Sequence, residues 1–244
     1  MKTIIKYHLS TLIILLNCIS CSTDDLCIQG VGEIITKEIN IQEFNGVRLK
    51  ISDNVIITQG PVQKVTITGQ ENIIEHLKTD VNTGIWDIDF QNGCFNGYEL
   101  QINITIPSID KIYISGSGNI IVNDFENQNN MTLKISGSGN INLNKILGIQ
   151  NLIAKISGSG DISLQDGFST MESLEISMSG SGSFNGFIAP TRICDISNSG
   201  SGSNKVHVLE NLGLSISGSG NTYYKGMPQI TESISGSGAI INAN

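Results

Sequence analysis

The tetrapeptide Ser-Gly-Ser-Gly occurs seven times in the second half of the chain: Ser115–Gly118, Ser136–Gly139, Ser157–Gly160, Ser179–Gly182, Ser199–Gly202, Ser217–Gly220 and Ser235–Gly238. The steps from one copy to the next are 21, 21, 22, 20, 18 and 18 residues. A nearly fixed period of this size marks stacked repeat units rather than an ordinary globular core. The flanks exclude a flexible linker: Leu133-Lys134-Ile135 precedes one copy and Ile141-Asn142-Leu143 follows it. Period-two alternation of this kind reads as strand with one buried face. It runs through the motif without slipping, so Gly137 and Gly139 share the face of Ile135 and Ile141. Strand interiors avoid glycine unless backbone bends or approaches closely there. Each motif is therefore expected to mark a corner, pinched where an inward side chain would not fit.

A single repeat cannot bury its apolar face alone, whereas parallel stacking about 4.8 Å apart does so. Seven coils at that spacing give a rod roughly 34 Å long. The expectation is an all-β parallel β-helix, or solenoid, wound right-handed, with about seven Ser-Gly-Ser-Gly coils over residues 111–244. The residues after the motifs, Asn119, Asn140, Asp161, Ser183, Ser203, Asn221 and Ala239, are placed to form a polar ladder. The fifth repeat departs, with Asn198 and Asn204 at inward positions, which requires local remodelling or polar partners.

The N-terminus reads as an export signal over residues 1–20. Lys2 and Lys6 precede an apolar run from Leu9 to Leu16 that is too short to span a bilayer. The run ends at Asn17-Cys18-Ile19-Ser20-Cys21, which resembles a bacterial lipobox with Cys21 as the lipid acceptor. Removing the signal takes away two lysines and no acid, shifting the formal charge from −8 to about −10. Residues 21–29 form a tether. Its Ser22-Thr23-Asp24-Asp25 resembles the surface-export tag of some Gram-negative lipoproteins, against the alternative of a solvated linker, so the expected location is the outer membrane, held by the lipid and facing either the exterior or the periplasm. Of the remaining cysteines, Cys27 and Cys94 could pair and tie the start of the fold to a Gly-rich loop. Cys194 lies in a strand-like run, and the odd count leaves at least one thiol unpaired within the chain.

Residues 30–110 form an all-β N-terminal region, continuous in one domain with the repeats. Val47–Ile51, Val55–Ile57, Val65–Ile67, Trp86–Phe90 and Tyr98–Ile106 alternate as strands, and Asn45-Gly46, Gly60-Pro61, Asn92-Gly93 and Asn96-Gly97 mark turns. Only Glu71–Lys78 has helical spacing. This region is expected to supply irregular coils of the same solenoid or a cap on it, because an open solenoid end exposes unpaired strand edges. The last repeat has no such cover, which suggests an exposed or partner-covered coil and self-association through it. The succession Phe44-Asn45-Gly46-Val47, Val55–Gly60, Gly69-Gln70-Glu71-Asn72, Gly84–Ile88, Ile106-Pro107 and then Ser-Gly-Ser-Gly units followed by Asn-Ile resembles the auto-transporter adhesin head domain called GIN. The resemblance covers roughly residues 30–240. It implies a β-helix-like fold in exported lipoproteins and brings no catalytic residues with it.

Catalytic chemistry finds little footing. Each motif is followed by strand rather than helix and lacks the Lys-Ser/Thr of a phosphate loop. Asp161 alone follows a motif, against the Asp in every turn that calcium β-roll repeats need. His76 and His207 are far apart and read as surface residues, giving no basis for a metal site or a nucleophile–histidine pair. The carboxylates of the repeats, Asp161, Asp166, Glu172, Glu175, Asp195 and Glu210, fall at differing positions and suggest no glycosidase pair. No basic patch with interleaved aromatics indicates nucleic-acid binding. The expectation is a non-enzymatic, lipid-anchored envelope protein with no cofactor, binding a protein or glycan. The alternatives are a carbohydrate-active β-helix enzyme and a purely structural envelope component.

Overall fold

The computed structural model describes residues 27–244. The export signal, Cys21 and most of the tether lie outside the described residues. In chain order the strands are β1 (Ile28–Gln29), β2 (Ile34–Ile39), β3 (Gly46–Leu49), β4 (Asn54–Gln59) and β5 (Lys64–Gln70). The short helix α1 (Glu71–Ile74) follows, then β6 (Val81–Asn82), β7 (Ile85–Ile88), β8 (Phe95–Asn96), β9 (Leu100–Ile106) and β10 (Lys111–Ile114). The repeats supply β11 (Ile120–Phe125), β12 (Asn130–Ile135), β13 (Ile141–Ile146), β14 (Asn151–Ile156), β15 (Ile162–Leu164) and β16 (Met171–Met178). They continue with β17 (Phe184–Asn198), β18 (Asn204–Ile216), β19 (Thr222–Lys225), β20 (Gln229–Ile234) and β21 (Ile240–Asn242).

Two parallel ladders organise these strands. The first stacks β7, β3, β10, β12, β14, β16, the second part of β17, the second part of β18, and β20. The second stacks β9, β4, β11, β13, β15, the first part of β17, the first part of β18, β19 and β21. Within a rung the Ser-Gly-Ser-Gly corner joins one ladder to the other. The seven corners stack in one column along about six turns of solenoid, and β3/β4 with β7/β9 extend the same ladders at the N-terminal end. Inward residues stack in register. Trp86, Val47, Ile112, Leu133, Ala154, Ile176 and Ile196 form one core column of the first ladder, all buried.

The glycines answer to a different constraint from the one their alternation suggests. A Cβ on Gly137 would overlap the carbonyl oxygen of Gly116 one rung down, and one on Gly158 would overlap that of Gly137; Gly139 and Gly160 meet the oxygens of Gly118 and Gly139 in the same way. The missing side chain makes room for the neighbouring rung rather than for the interior. Close approach lets the corner keep its ladder: Ser136 N–H donates to Ile114 O at 2.8 Å and Ser138 N–H to Gly116 O at 3.1 Å, with the same pair in the next rung. The first corner, Lys50-Ile51-Ser52-Asp53, carries side chains at the equivalent positions. Beneath it lies the longer connection from β7 to β9 rather than another tight corner. The corner on the far side of the rungs uses left-handed backbone instead, at Asp124, Lys145, Gly148, Gly167 and Gly226.

The N-terminal region both continues the stack and closes it. The chain lays down β3/β4 first, leaves to build the end, returns through β7/β9 beneath that rung, and then passes above it into β10/β11. Beyond β9 the pairing turns antiparallel, with β5 on β9 and β2 on β5, while β6 lies antiparallel to β7. The helix is shorter than Glu71–Lys78, but Ile73, Ile74 and Leu77 are buried as its spacing implies. A disulfide joins Cys27 to Cys94 across 67 residues, and β1 pairs with β8 beside it. Tyr98 Oη donates to Asp53 Oδ2 at 2.9 Å, pinning the β7–β9 connection to the first corner.

At the opposite end every residue of β20 is exposed. Glu232 there occupies the column that Leu214 and Ile196 fill in the rungs before it. An inward-facing charge at a strand edge disfavours addition of a further strand. In the fifth repeat Asn198 is satisfied locally: its Nδ2 donates to Gly202 O at 2.9 Å and its Oδ1 accepts Gly200 N–H at 3.0 Å. Asn204 is also fully buried, stacked on Thr222, and neither its amide nor the Thr222 hydroxyl has a hydrogen-bond partner among the described residues.

Two predictions follow from the corners. Gly158→Ala should destabilise the protein by about 1–3 kcal/mol in urea unfolding, because backbone must move to clear the new methyl. Ser159→Ala, at an exposed position of the same corner, should cost less than about 0.5 kcal/mol. Burial raises the Asp53 carboxyl above the ordinary value of 3.8, against the lowering effect of the Tyr98 hydrogen bond. Its contribution is fully present below pH 3.8 and is lost as pH rises through the raised folded value. Asp53→Asn, which can still accept from Tyr98, should therefore raise the thermal midpoint modestly at pH 7. That gain should vanish near pH 3, and an equal gain at both pH values would refute the assignment.

Candidate binding faces

The outer faces of the two ladders carry the polar side chains. Beside the Ser-Gly-Ser-Gly corner, Asn119 Nδ2 donates to Asn54 Oδ1 at 3.0 Å and Asn140 Nδ2 to Asn119 Oδ1 at 2.9 Å. Each Oδ1 also accepts the backbone N–H of the rung above, as Asn140 Oδ1 does from Asp161 N at 2.8 Å and Asp161 Oδ1 from Ser183 N at 2.6 Å. The ladder lapses at Ser183 and Ser203 and resumes where Asn221 Oδ1 accepts Ala239 N–H at 2.9 Å. Further ladders join Asn123 to Asn144 and Asn130 through Asn151 to Ser173. These bonds stitch rung to rung, and most of the outward Asn side chains before Asp161 are engaged in them.

The carboxylates are more ordered than their sequence positions suggest. Glu172, Arg192 and Glu210 each lie seven residues before a motif and occupy successive rungs. Arg192 Nη1 is 2.9 Å from Glu172 and Nε 2.8 Å from Glu210, so one guanidinium spans three coils. The two carboxylates hold the guanidinium charged, and Arg192 in turn lowers the Glu210 carboxyl below its ordinary range. Glu175 and Asp195, each four residues before a motif, pair directly across β16 and β17. They line a shallow trough of about 640 Å³ with Ser177, Ser197, Ser215, Gly213 and Thr231. Counting back from each motif would have found both arrangements. Asp166 lies on the far corner, where its carbonyl accepts Lys145 N–H.

His76 and His207 are each half-buried. His76 bonds Asn72 O through Nδ1 at 2.7 Å and packs edge-on against Phe95, while His207 lies on β18 beside Lys225. Cys194 is buried in the core of β17, and burial followed by the nearby Asp195 charge pushes its thiol far above the usual range, which makes it inert. Among the described residues no group of three or more His, Cys, Asp and Glu side chains is placed to hold a metal ion, and no helix is long and apolar enough to cross a membrane.

On the second ladder a groove of about 650 Å³ opens where the Asn column lapses. Asp161 and Ser163 line one end, Ser183, Asn185 and Ser203 the middle, and Lys205 and Tyr223 the other end. This concavity went unnoticed in the sequence because outward positions of a stacked strand carry no periodic apolar signal.

Solved structures share the architecture. A putative adhesin from Bacteroides fragilis superposes with a TM-score of 0.80 at 23% identity, covering 88% of this chain and 99% of that one. A putative lipid binding protein from Parabacteroides distasonis gives 0.69 at 24% identity, covering 89% and 99%. A putative adhesin from Parabacteroides merdae gives 0.66 at 19% identity, covering 90% and 100%. At these identities the likeness concerns the fold. No curated protein matches the chain. The family described as "Putative auto-transporter adhesin, head GIN domain" matches residues 43–228, and the chain belongs to that family.

Proposed function

We propose that the protein is an exported, lipid-anchored binding module that holds a stiff β-solenoid at the outer surface of the cell and catalyses no reaction. The observation that carries this reading is the juxtaposition of a lipobox-like Cys21 with a continuous parallel stack whose first strand in chain order, β3, begins at Gly46. Membership of an adhesin-head family supports it. A stack whose rungs are bonded along two ladders keeps its lateral faces fixed, and a fixed face binds without the ordering cost that a flexible one incurs. The disulfide between Cys27 and Cys94 holds the base of the tether against the capped end, so the regular rungs extend away from the anchor. Its occurrence suits an oxidising compartment outside the cytoplasm.

Metabolic labelling with a palmitate analogue tests the anchor. The wild-type chain should take up label and fractionate with the outer membrane, whereas Cys21→Ala should lose label and be released in soluble form. Protease accessibility on intact cells tests surface display. Attachment of cells to glycan-coated and protein-coated surfaces tests binding: deletion of the gene should reduce attachment, and the Cys21→Ala strain should match the deletion. Altered envelope integrity with unchanged attachment would favour a structural role instead. Release of reducing ends from polysaccharides, abolished by Glu175→Gln or Asp195→Asn, would overturn the non-enzymatic reading.

A further inference from the structure

We infer that the groove between Asp161 and Tyr223 is a saccharide site, shaped for a short oligosaccharide that carries a carboxylate. The inference rests on the binding-module reading above and deepens it. Along the regular part of the second ladder, the residue after each motif spends its side chain on the rung above, as Asn119 and Asn140 do. At Ser183 and Ser203 the pattern is broken, and it resumes at Asn221. The side chains of Ser183, Asn185, Ser203, Lys205 and Tyr223 make no hydrogen bond or ion pair within the described residues, although all line one concavity. The notch exists because serine replaces asparagine in two successive rungs while the next rung places a tyrosine ring at its end.

The chemistry of the lining selects the ligand. From the rung of Asp161 to that of Tyr223 is three rung spacings, about 14 Å, the reach of a short chain of sugars rather than one ring. Asn185 and the serine hydroxyls both donate and accept, and Asp161 keeps acceptor capacity beyond its bond to Ser183 N–H, which suits vicinal hydroxyls. Tyr223 is half-exposed and offers an apolar ring face with a polar tip, fit to lie against the C–H face of a pyranose. Lys205 is exposed and has no acidic partner among the described residues, although the protein as a whole carries a net charge of −8. An ammonium beside that ring recognises a sugar carboxylate by a charge-assisted hydrogen bond. The groove is open and shallow, so single-site affinity should be weak, with Kd on the order of 0.1–1 mM. Many copies on one cell surface would raise the effective strength through avidity.

The test uses the full-length chain in detergent and two probes of equal length, tetragalacturonate and maltotetraose, followed by titration calorimetry and saturation-transfer NMR. Tetragalacturonate should bind more tightly than maltotetraose. Tyr223→Ala should weaken both about tenfold or more. Lys205→Met should abolish the preference for the acidic probe while leaving maltotetraose binding unchanged. Both positions face outward, and an unchanged thermal midpoint confirms that each variant is folded. A second folded variant, Ser203→Trp, fills the notch and should remove binding of both probes. Equal affinity for the two probes, or binding indifferent to Ser203→Trp, would overturn the assignment. So would no binding of either probe by a protein whose cells still attach to a coated surface, which would leave the binding-module reading standing. Loss of attachment and of probe binding together would remove both.

Discussion

Backbone meets backbone at the Ser-Gly-Ser-Gly corner, and the rest of the solenoid depends on that approach. The carbonyl of one glycine points into the space where its counterpart one rung up would carry a Cβ. With no atom there, the serine N–H groups can reach the rung below, and the ladder continues around the bend. A parallel sheet that turned a corner without these bonds would leave buried backbone donors and acceptors unpaired at every rung. The glycine requirement thus comes from the neighbour along the stack, and it lapses at Lys50-Ile51-Ser52-Asp53, where the chain beneath takes a longer path.

Around this column the stack is closed at one end by cover and at the other by charge. Antiparallel β5 and β2 lie over the second ladder, β6 flanks the first, and α1 sets Ile73 and Ile74 in the core. The far end relies on Glu232 in a column otherwise filled by Leu214, Ile196 and Ile176. These are two of the ways in which sheets avoid pairing edge to edge.

Much of this was legible from residues alone. The alternation of Leu133, Ile135, Ile141 and Leu143 identified strand, buried face and repeat together, because stacking forces each copy to repeat the same pattern. The side of the chain on which the glycines matter was misread, since alternation reports which face is apolar and not which atoms lie one rung away. The inversion of β3/β4 and β7/β9 left no local trace: strand order in a stack depends on the path of the whole chain. β2 was not singled out because, as an outer antiparallel strand, it is exposed or only half-buried throughout. The Glu172–Arg192–Glu210 column was available by counting back from each motif. The saccharide groove was not, because it arises from side chains that are small or unspent.

The seven corners hold the same four residues while the spacing between them falls from 22 residues to 18. All of that difference is absorbed elsewhere in the loop of chain, so the girth of the protein shrinks from its middle toward β21. A slimmer coil encloses fewer apolar side chains, and it is in the slimmer part that Asn204 and Thr222 turn inward without partners among the described residues. The taper therefore grades cohesion along the axis: the thick portion is held by interior packing, and the thin portion leans more heavily on its main-chain ladders.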